Sequence, residues 1–340
     1  MPLSLNTLNS DLNQFYNEKF YFSYSGINKL LTSPKWFYSH YILRQKEDST
    51  DAHLIAGRAL HCLLLEPDKF DDEFVMMPGK IPTASNKVIL EHIFYHNYLP
   101  LQNETLTLED FPTDILNQLL SNNLYQALKT DAQRIEKILT NDNKEYFKFL
   151  KTKEQGKTVI DASVKSKAEE SLISLKADDR VMGLLQLGHD NSNGVTVFNE
   201  VALKTELTDF KFGLKGFADS IVVDENTKTI FISDLKTTSK SIQSFPNTVD
   251  FYRYDVQAAI YCIMGYNNLI KERSDASEWK IVFTFIVIDK YNQVYPFQVS
   301  KESLAIWQQD FDNIEDIVKY HYENKDFTLP YELAMGNVKL

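Results

Sequence analysis

Asp219, Asp234 and Lys236 have the residue types and spacing from which chemistry can be built. They lie within residues 213–241, where two runs rich in β-branched and aromatic residues flank the polar break Asp224-Glu225-Asn226-Thr227-Lys228. That pattern predicts two antiparallel strands joined by a short turn. Asp219 falls on the first strand, and Asp234 and Lys236 fall near the end of the second, two residues apart. A period of two puts the Asp234 and Lys236 side chains on one face and the Leu235 side chain on the other. Two carboxylates converging beside an ammonium supply hard oxygen ligands suited to Mg²⁺, with Mn²⁺ as a substitute. A lysine next to such an ion can orient and polarise a water, so the set suits metal-assisted phosphodiester hydrolysis.

The competing reading is a solvated acid–lysine pair on an exposed strand, which would contribute little. Context favours the first reading. Phe231-Ile232-Ser233-Asp234-Leu235 is too apolar for a strand with both faces in water. An aspartate at the end of a covered strand needs a partner, and a metal is a common one. Gly213 and Gly216 permit close backbone approach just before Asp219.

Several elements must position these residues. Ser25 and Ser33-Pro34 predict two helix starts, over Gly26 to Leu31 and Lys35 to Arg44, and a third helix runs from about Ala52 to Leu65. Residues 79–160 read as a helical insertion or arm, with amphipathic stretches over Asp114–Leu128 and Asp131–Lys151. Another helix is expected over 161–188. Strands follow over Val195–Leu203, Thr208–Val223, Thr229–Thr237 and Lys280–Asp289, with an edge strand over Asn292–Val299. A helix from about Asp250 to Asn267 separates the third strand from the fourth. Leu304, Trp307, Phe311, Ile314, Val318 and Tyr322 form one apolar stripe on a closing helix that starts at Ser300. The division expected is 1–78 as the N-terminal helical part of a catalytic domain, 79–160 as the insertion, and 161–340 as the core.

Composition excludes some classes. The 340-residue chain has 43% hydrophobic and 24% charged residues, as ordinary globular proteins do. The opening residues lack the basic start and apolar core of a secretory signal, and no run approaches a transmembrane length, so a cytoplasmic protein without a membrane role is expected. Cys62 and Cys262 sit in apolar surroundings and read as reduced core residues; two cysteines cannot build a four-cysteine iron–sulfur site. The net charge of −11 argues against a protein that coats nucleic acid, although a local cleft can still be positive. Lys204, Lys211, Lys215, Lys236, Lys240 and Arg253 gather in sequence around the motif, either as a phosphate-facing patch or as scattered solvated cations.

The succession of strand, strand, strand with Asp-x-Lys, helix, strand resembles the core of the PD-(D/E)xK nuclease superfamily. Residues 57–74 resemble the Gly-x-x-x-His-Cys-Leu-Leu-Leu-Glu-Pro stretch of RecE-type exonucleases, the exonuclease VIII family. Tyr24-Ser25-Gly26 through Ser33-Pro34 resembles the helix that precedes it there, and Gln257 to Tyr261 resembles the Gln-x-x-x-Tyr helix that follows the catalytic strands. The resemblance covers about residues 24–76 and 160–300. It implies an α/β, restriction-endonuclease-like fold, a mixed central sheet flanked by helices, with a helical N-terminal region and a helical insertion. It further implies that Asp219, Asp234, the Leu235 backbone carbonyl and His61 hold metal, and that Lys236 orients the water. Without the resemblance His61 reads as a hydrogen-bonded core histidine. Glu200, in Phe-Asn-Glu-Val-Ala, occupies the place of an extra acid that touches metal or only supports the site. Gln257 supports the catalytic lysine or the substrate, and Arg253, Tyr261, Thr237 and Lys240 are candidates for holding substrate. Arg253, Gln257 and Tyr261, spaced by four, are expected to share one helix face. The first acidic motif departs from the family pattern in reading Ala-Asp where Pro-Asp is usual.

The implied activity is Mg²⁺-dependent, 5′→3′ digestion from double-stranded DNA ends in recombination or phage DNA metabolism. The implied partners are a single-strand annealing protein of the RecT type and further copies of this chain in a homo-oligomer. An endonuclease on the same fold, or a non-catalytic DNA- or protein-binding subunit, remains open at this stage.

Overall fold

The computed structural model describes residues 21–45, 52–207 and 212–337. Lys211, the start of the strand expected from Thr208, and residues 1–20 of the N-terminal region lie outside the described residues. The chain divides into two compact units. One comprises residues 1–51, 64–66 and 170–340, and the other residues 52–63 and 67–169.

The first unit is a mixed α/β layer structure around six strands: β1 (Tyr21–Phe22), β4 (Val195–Glu206), β5 (Gly213–Asp224), β6 (Thr229–Thr238), β7 (Lys280–Asp289) and β8 (Val294–Gln298), where β2 and β3 belong to the second unit. β5 pairs antiparallel with β4 and β6, β6 runs parallel to β7, and β8 is antiparallel to β7. Parallel pairing of β6 with β7 requires a crossover. It is supplied by helices Phe245–Tyr252 and Tyr254–Leu269. The second of these packs on β4, β5, β6 and β7 and against the closing helix Lys301–Asn324. Its Val256, Ala259, Ile260, Cys262 and Met264 are buried with Ile221, Val223, Ile230 and Ile232 of the sheet in one core. Each large side chain buried there contributes roughly 1.5–3 kcal/mol. Ser300 caps the closing helix by accepting from the Ser303 amide, and Leu304, Phe311, Ile314 and Val318 of the expected stripe are buried.

The second unit holds the 52–63 part of helix Ala52–Leu65 and a two-stranded parallel sheet of β2 (Phe74–Met76) and β3 (Thr158–Ile160), which sequence did not anticipate. Helices Ala84–His92, Pro112–Ser121, Asp131–Ile138 and Asn141–Glu154 surround a separate core that includes Ile89, Phe94, Ile115 and Phe147. The stretch expected as one helix over Asp131–Lys151 is two. Thr130 and Thr140 each cap a helix start by accepting from the amide three residues on, so the chain restarts at Thr140.

Other expectations shift locally. Ser23, not Ser25, caps helix Tyr24–Thr32 by accepting from the Gly26 amide. Helix Pro34–Phe37 passes into a single π-helical turn, Tyr38–Ile42, before Arg44 adopts φ 59°. The helix expected over 161–188 is two, Ala162–Lys176 and Asp179–Leu185, because Asp178 caps a new start. Cys62 and Cys262 are buried, and burial pushes the Cys262 thiol pKa up. Among the described residues no helix is long and apolar enough to cross a membrane.

Candidate active site

β5 and β6 begin as a closed hairpin. Their pairing runs from Asp224↔Thr229 to Ser220↔Ser233 and goes no further. The next position pair would be Asp219 and Asp234, and here the strands part. Opposed residues of an antiparallel pair share a face, so both carboxylates lie on the face covered by helix Tyr254–Leu269. The parting releases the Leu235 amide from its expected strand partner. The Asp219 carboxylate takes its place, with Oδ2 accepting from Leu235 N at 2.6 Å. A buried backbone donor must be satisfied, and here the side chain that satisfies it is a candidate metal ligand. The N–H and C=O of one strand residue point to the same side, so the Leu235 carbonyl also faces the opening.

Asp234 is buried and doubly held. Its Oδ1 accepts from Gln257 Nε2 at 2.7 Å, and its Oδ2 lies 2.7 Å from Lys236 Nζ. Burial opposes the charge on Lys236, but Asp234, Tyr254 and Asp219 outweigh it and raise its pKa. The ammonium also lies 4.6 Å above the centre of the Tyr254 ring. Lys236 is therefore a fixed cation at the mouth of the opening. Tyr254 opens the stretch that resembles the Gln-x-x-x-Tyr helix but has no role assigned from the sequence; its place three residues before Gln257 is the signal that could have given it one.

β4 brings the third acid. Pairing with β5 is continuous from Val195↔Asp224 to Glu206↔Gly213 except at Glu200, which stands opposite Asp219. Glu200 has φ 46°, in the left-handed region, within an otherwise extended strand. Such a conformation in a non-glycine residue costs on the order of 1–3 kcal/mol and concentrates at functional sites. Carboxylate oxygens of Glu200 and Asp219 lie within 4.8 Å of one another. A carboxylate offers about four acceptor positions, so Asp234 keeps capacity beyond Gln257 and Lys236. Oxygen donors of this kind, gathered from three strands, fit a hard divalent cation.

The helix above closes the site. Gln257 and Tyr261 point into it from one face of Tyr254–Leu269, and both are buried. Burial, followed by the charges of Asp234, Asp219 and Glu200, raises the Tyr261 pKa well above its ordinary value. Tyr261 approaches so closely that a Cβ on Gly216 would meet its Cε1 at 2.5 Å. Gly213 is equally required, since a Cβ there would meet Thr205 O and the Tyr21 ring at 2.5 Å. A cleft of about 380 Å³ shares Tyr261 with the site and is lined also by Tyr24, Arg44 and Lys215.

Arg253 does not share that helix face. It breaks the helix expected over 250–267 by adopting φ 58° between Phe245–Tyr252 and Tyr254–Leu269, and its guanidinium pairs with Asp255 at 3.2 Å. Of the cations grouped by sequence, Lys204 and Lys215 stand opposite one another across β4 and β5. Lys215 is buried, Lys204 lies over the Tyr21 ring, Lys236 pairs with Asp234, and Thr237 and Lys240 remain exposed at the end of β6. His61 lies half-buried on helix Ala52–Leu65, in the second unit.

The succession expected from the sequence is present as β4, β5, β6 with Asp-x-Lys, the crossover helices and β7. The chain belongs to the family described as a PDDEXK-like domain of unknown function (DUF3799), which it matches over residues 23–320. The mixed sheet flanked by helices is the fold expected of it. Among solved structures, the chain is similar to an exonuclease candidate from Eubacterium rectale, at 14% identity and TM-score 0.46, covering 100% of this chain and 95% of that one. It is also similar to the protein SSO0001, at 13% identity and TM-score 0.22, covering 66% of this chain and 95% of that one. No curated protein matches the sequence.

Proposed function

We propose that the protein is a metal-dependent deoxyribonuclease that removes nucleotides from double-stranded DNA ends. The observation that carries this reading is the parting of β5 and β6 at Asp219 and Asp234, which gathers acids and one lysine at a single opening. Membership of the PDDEXK-like family supports it. Asp219, Asp234 and Glu200 would hold the ion, with the Leu235 carbonyl as the further donor that the family resemblance implies. When bound, a divalent cation polarises the phosphoryl oxygen and lowers the pKa of water.

The chain's own residues supply the rest. Lys236 places a permanent positive charge where a pentavalent phosphate gains negative charge, and its raised pKa keeps it protonated at neutral pH. Gln257 fixes one oxygen of Asp234, so the carboxylate cannot rotate away from the opening. Tyr254 sets the height of the lysine by taking its ammonium over the ring. Tyr261 covers the inner wall beside the three acids, whose charges help to raise its pKa. Mg²⁺ as the ion, 5′→3′ polarity, a single-strand annealing partner, homo-oligomerisation and a role in recombination belong to the same reading through the RecE-type resemblance.

Linear duplex and covalently closed circular duplex of the same sequence test it. With Mg²⁺, degradation of the linear form and survival of the circle are expected. Nicking of the circle at a similar rate would make the protein an endonuclease, and no cleavage of either would overturn the enzymatic reading.

A further inference from the structure

Beyond the acids, a line of aromatic rings leads from Lys236 to the surface. Lys236 lies over Tyr254; Tyr254 stacks on Tyr252 with centroids 5.6 Å apart at 25°; Tyr252 meets Phe251 at 4.9 Å and 88°. Phe251 is 73% exposed and Tyr252 45%. Exposed aromatic side chains this close to a polar centre cost solvation without adding to the core. Their backbone is nevertheless firmly held. The Tyr252 carbonyl accepts from Tyr24 Oη at 2.5 Å and from Asn28 Nδ2 at 3.0 Å, and the left-handed Arg253 fixes the turn that follows. Lys240 lies 5.6 Å above the Phe251 ring and has no ion pair among the described residues.

We propose that Phe251 and Tyr252 form a stacking platform for unpaired nucleobases of the strand whose phosphate reaches Lys236, with Lys240 meeting a neighbouring phosphate. This rests on the nuclease reading above and deepens it by assigning ends with unpaired bases as the preferred substrate. Every base has a π-face, so aromatic platforms beside a cation bind single strands with little regard to sequence. Continuity of the rings with the lysine favours nucleic acid over a protein partner at this surface.

The test is fluorescence titration of a short single-stranded oligodeoxynucleotide carrying 2-aminopurine near its end, with Ca²⁺ in place of Mg²⁺. The parent protein quenches the probe. Phe251→Leu, which keeps an apolar side chain but removes the ring, binds about tenfold more weakly and loses the quench. Phe251→Trp restores both, and Lys240→Gln lowers the slope of log affinity against log salt by about 0.7. Equal quenching and affinity in the parent and Phe251→Leu overturn the platform. So does a change in molar mass with Phe251→Leu at unchanged quenching, which would make the patch a contact between copies of this chain. Because binding is read without cleavage, the platform and the nuclease reading fail separately. Quenching by a parent that cuts nothing supports the first and removes the second; digestion of DNA with no quenching does the reverse.

Discussion

The two ends of the β5–β6 ribbon are built on opposite principles. At the closed end the backbones pair without interruption, and opposite charges are matched around the turn. Lys228 pairs with Asp275 and Glu278, and Arg273 pairs with Glu225 and Asp275 while lying over the Trp279 ring. Asp224 closes the turn by accepting from the Asn226 amide and the Thr227 hydroxyl. At the open end backbone pairing stops, a carboxylate substitutes for a strand partner, Asp234 pairs with Lys236, and Asp219 lies near a Glu200 held in the left-handed region. One end is arranged for stability. The other brings carboxylates together and holds Glu200 in a strained conformation, which is the pattern expected where folding and function conflict.

Substitutions at the two ends should therefore separate activity from stability. Lys236→Ala should slow phosphodiester cleavage by at least about 10²-fold, the scale of removing one charge-stabilising donor, in a rate measurement on labelled duplex. Gln257→Leu should come next. It leaves Asp234 Oδ1 without its buried donor, at a cost of about 1–3 kcal/mol in denaturant unfolding, together with a loss of activity. Asp224→Ala should lower stability by about 1 kcal/mol, as loss of a side-chain cap on backbone amides does, yet leave the cleavage rate unaltered. A drop in rate with Asp224→Ala would erase the distinction between the ends.

The smallest effect is an acid limb. The hydrogen bond from Lys228, opposed by burial and reinforced by Trp279 and Arg273, lowers the Asp275 pKa to about 2. A depressed folded-state pKa gives stability that is complete above the unfolded value near 4 and lost as pH falls through about 2. The gap in melting temperature between the parent and Asp275→Asn should shrink over that window, and a gap that holds constant would deny the closed end its electrostatic lock.

The closed end was legible in the sequence, since alternation in 229–237 and the polar break at 224–228 specify a hairpin, and β7 falls on Lys280–Asp289 as its apolar run predicts. The Asp-x-Lys face was equally legible, because a period of two leaves no other arrangement. The open end was only half legible. Nothing in Phe-Asn-Glu-Val marks Glu200 for a left-handed turn, as glutamate has no preference for that region. Arg253 gave no sign of splitting a helix whose apolar pattern runs through it. The bond from Leu235 N to Asp219 depends on where two strands part, which is decided by tertiary packing and by the side chains on helix Tyr254–Leu269. The two-residue strand β1 was too short for any periodicity to register.

The central claim is that carboxylates at the parting of β5 and β6 make cleavage depend on a divalent cation. Digestion of end-labelled duplex by the parent and by Asp219→Asn, each with Mg²⁺ and with chelator, addresses it most directly. The account predicts nucleotide release only from the parent with Mg²⁺; release that persists in chelator, or that proceeds equally in Asp219→Asn, would contradict it.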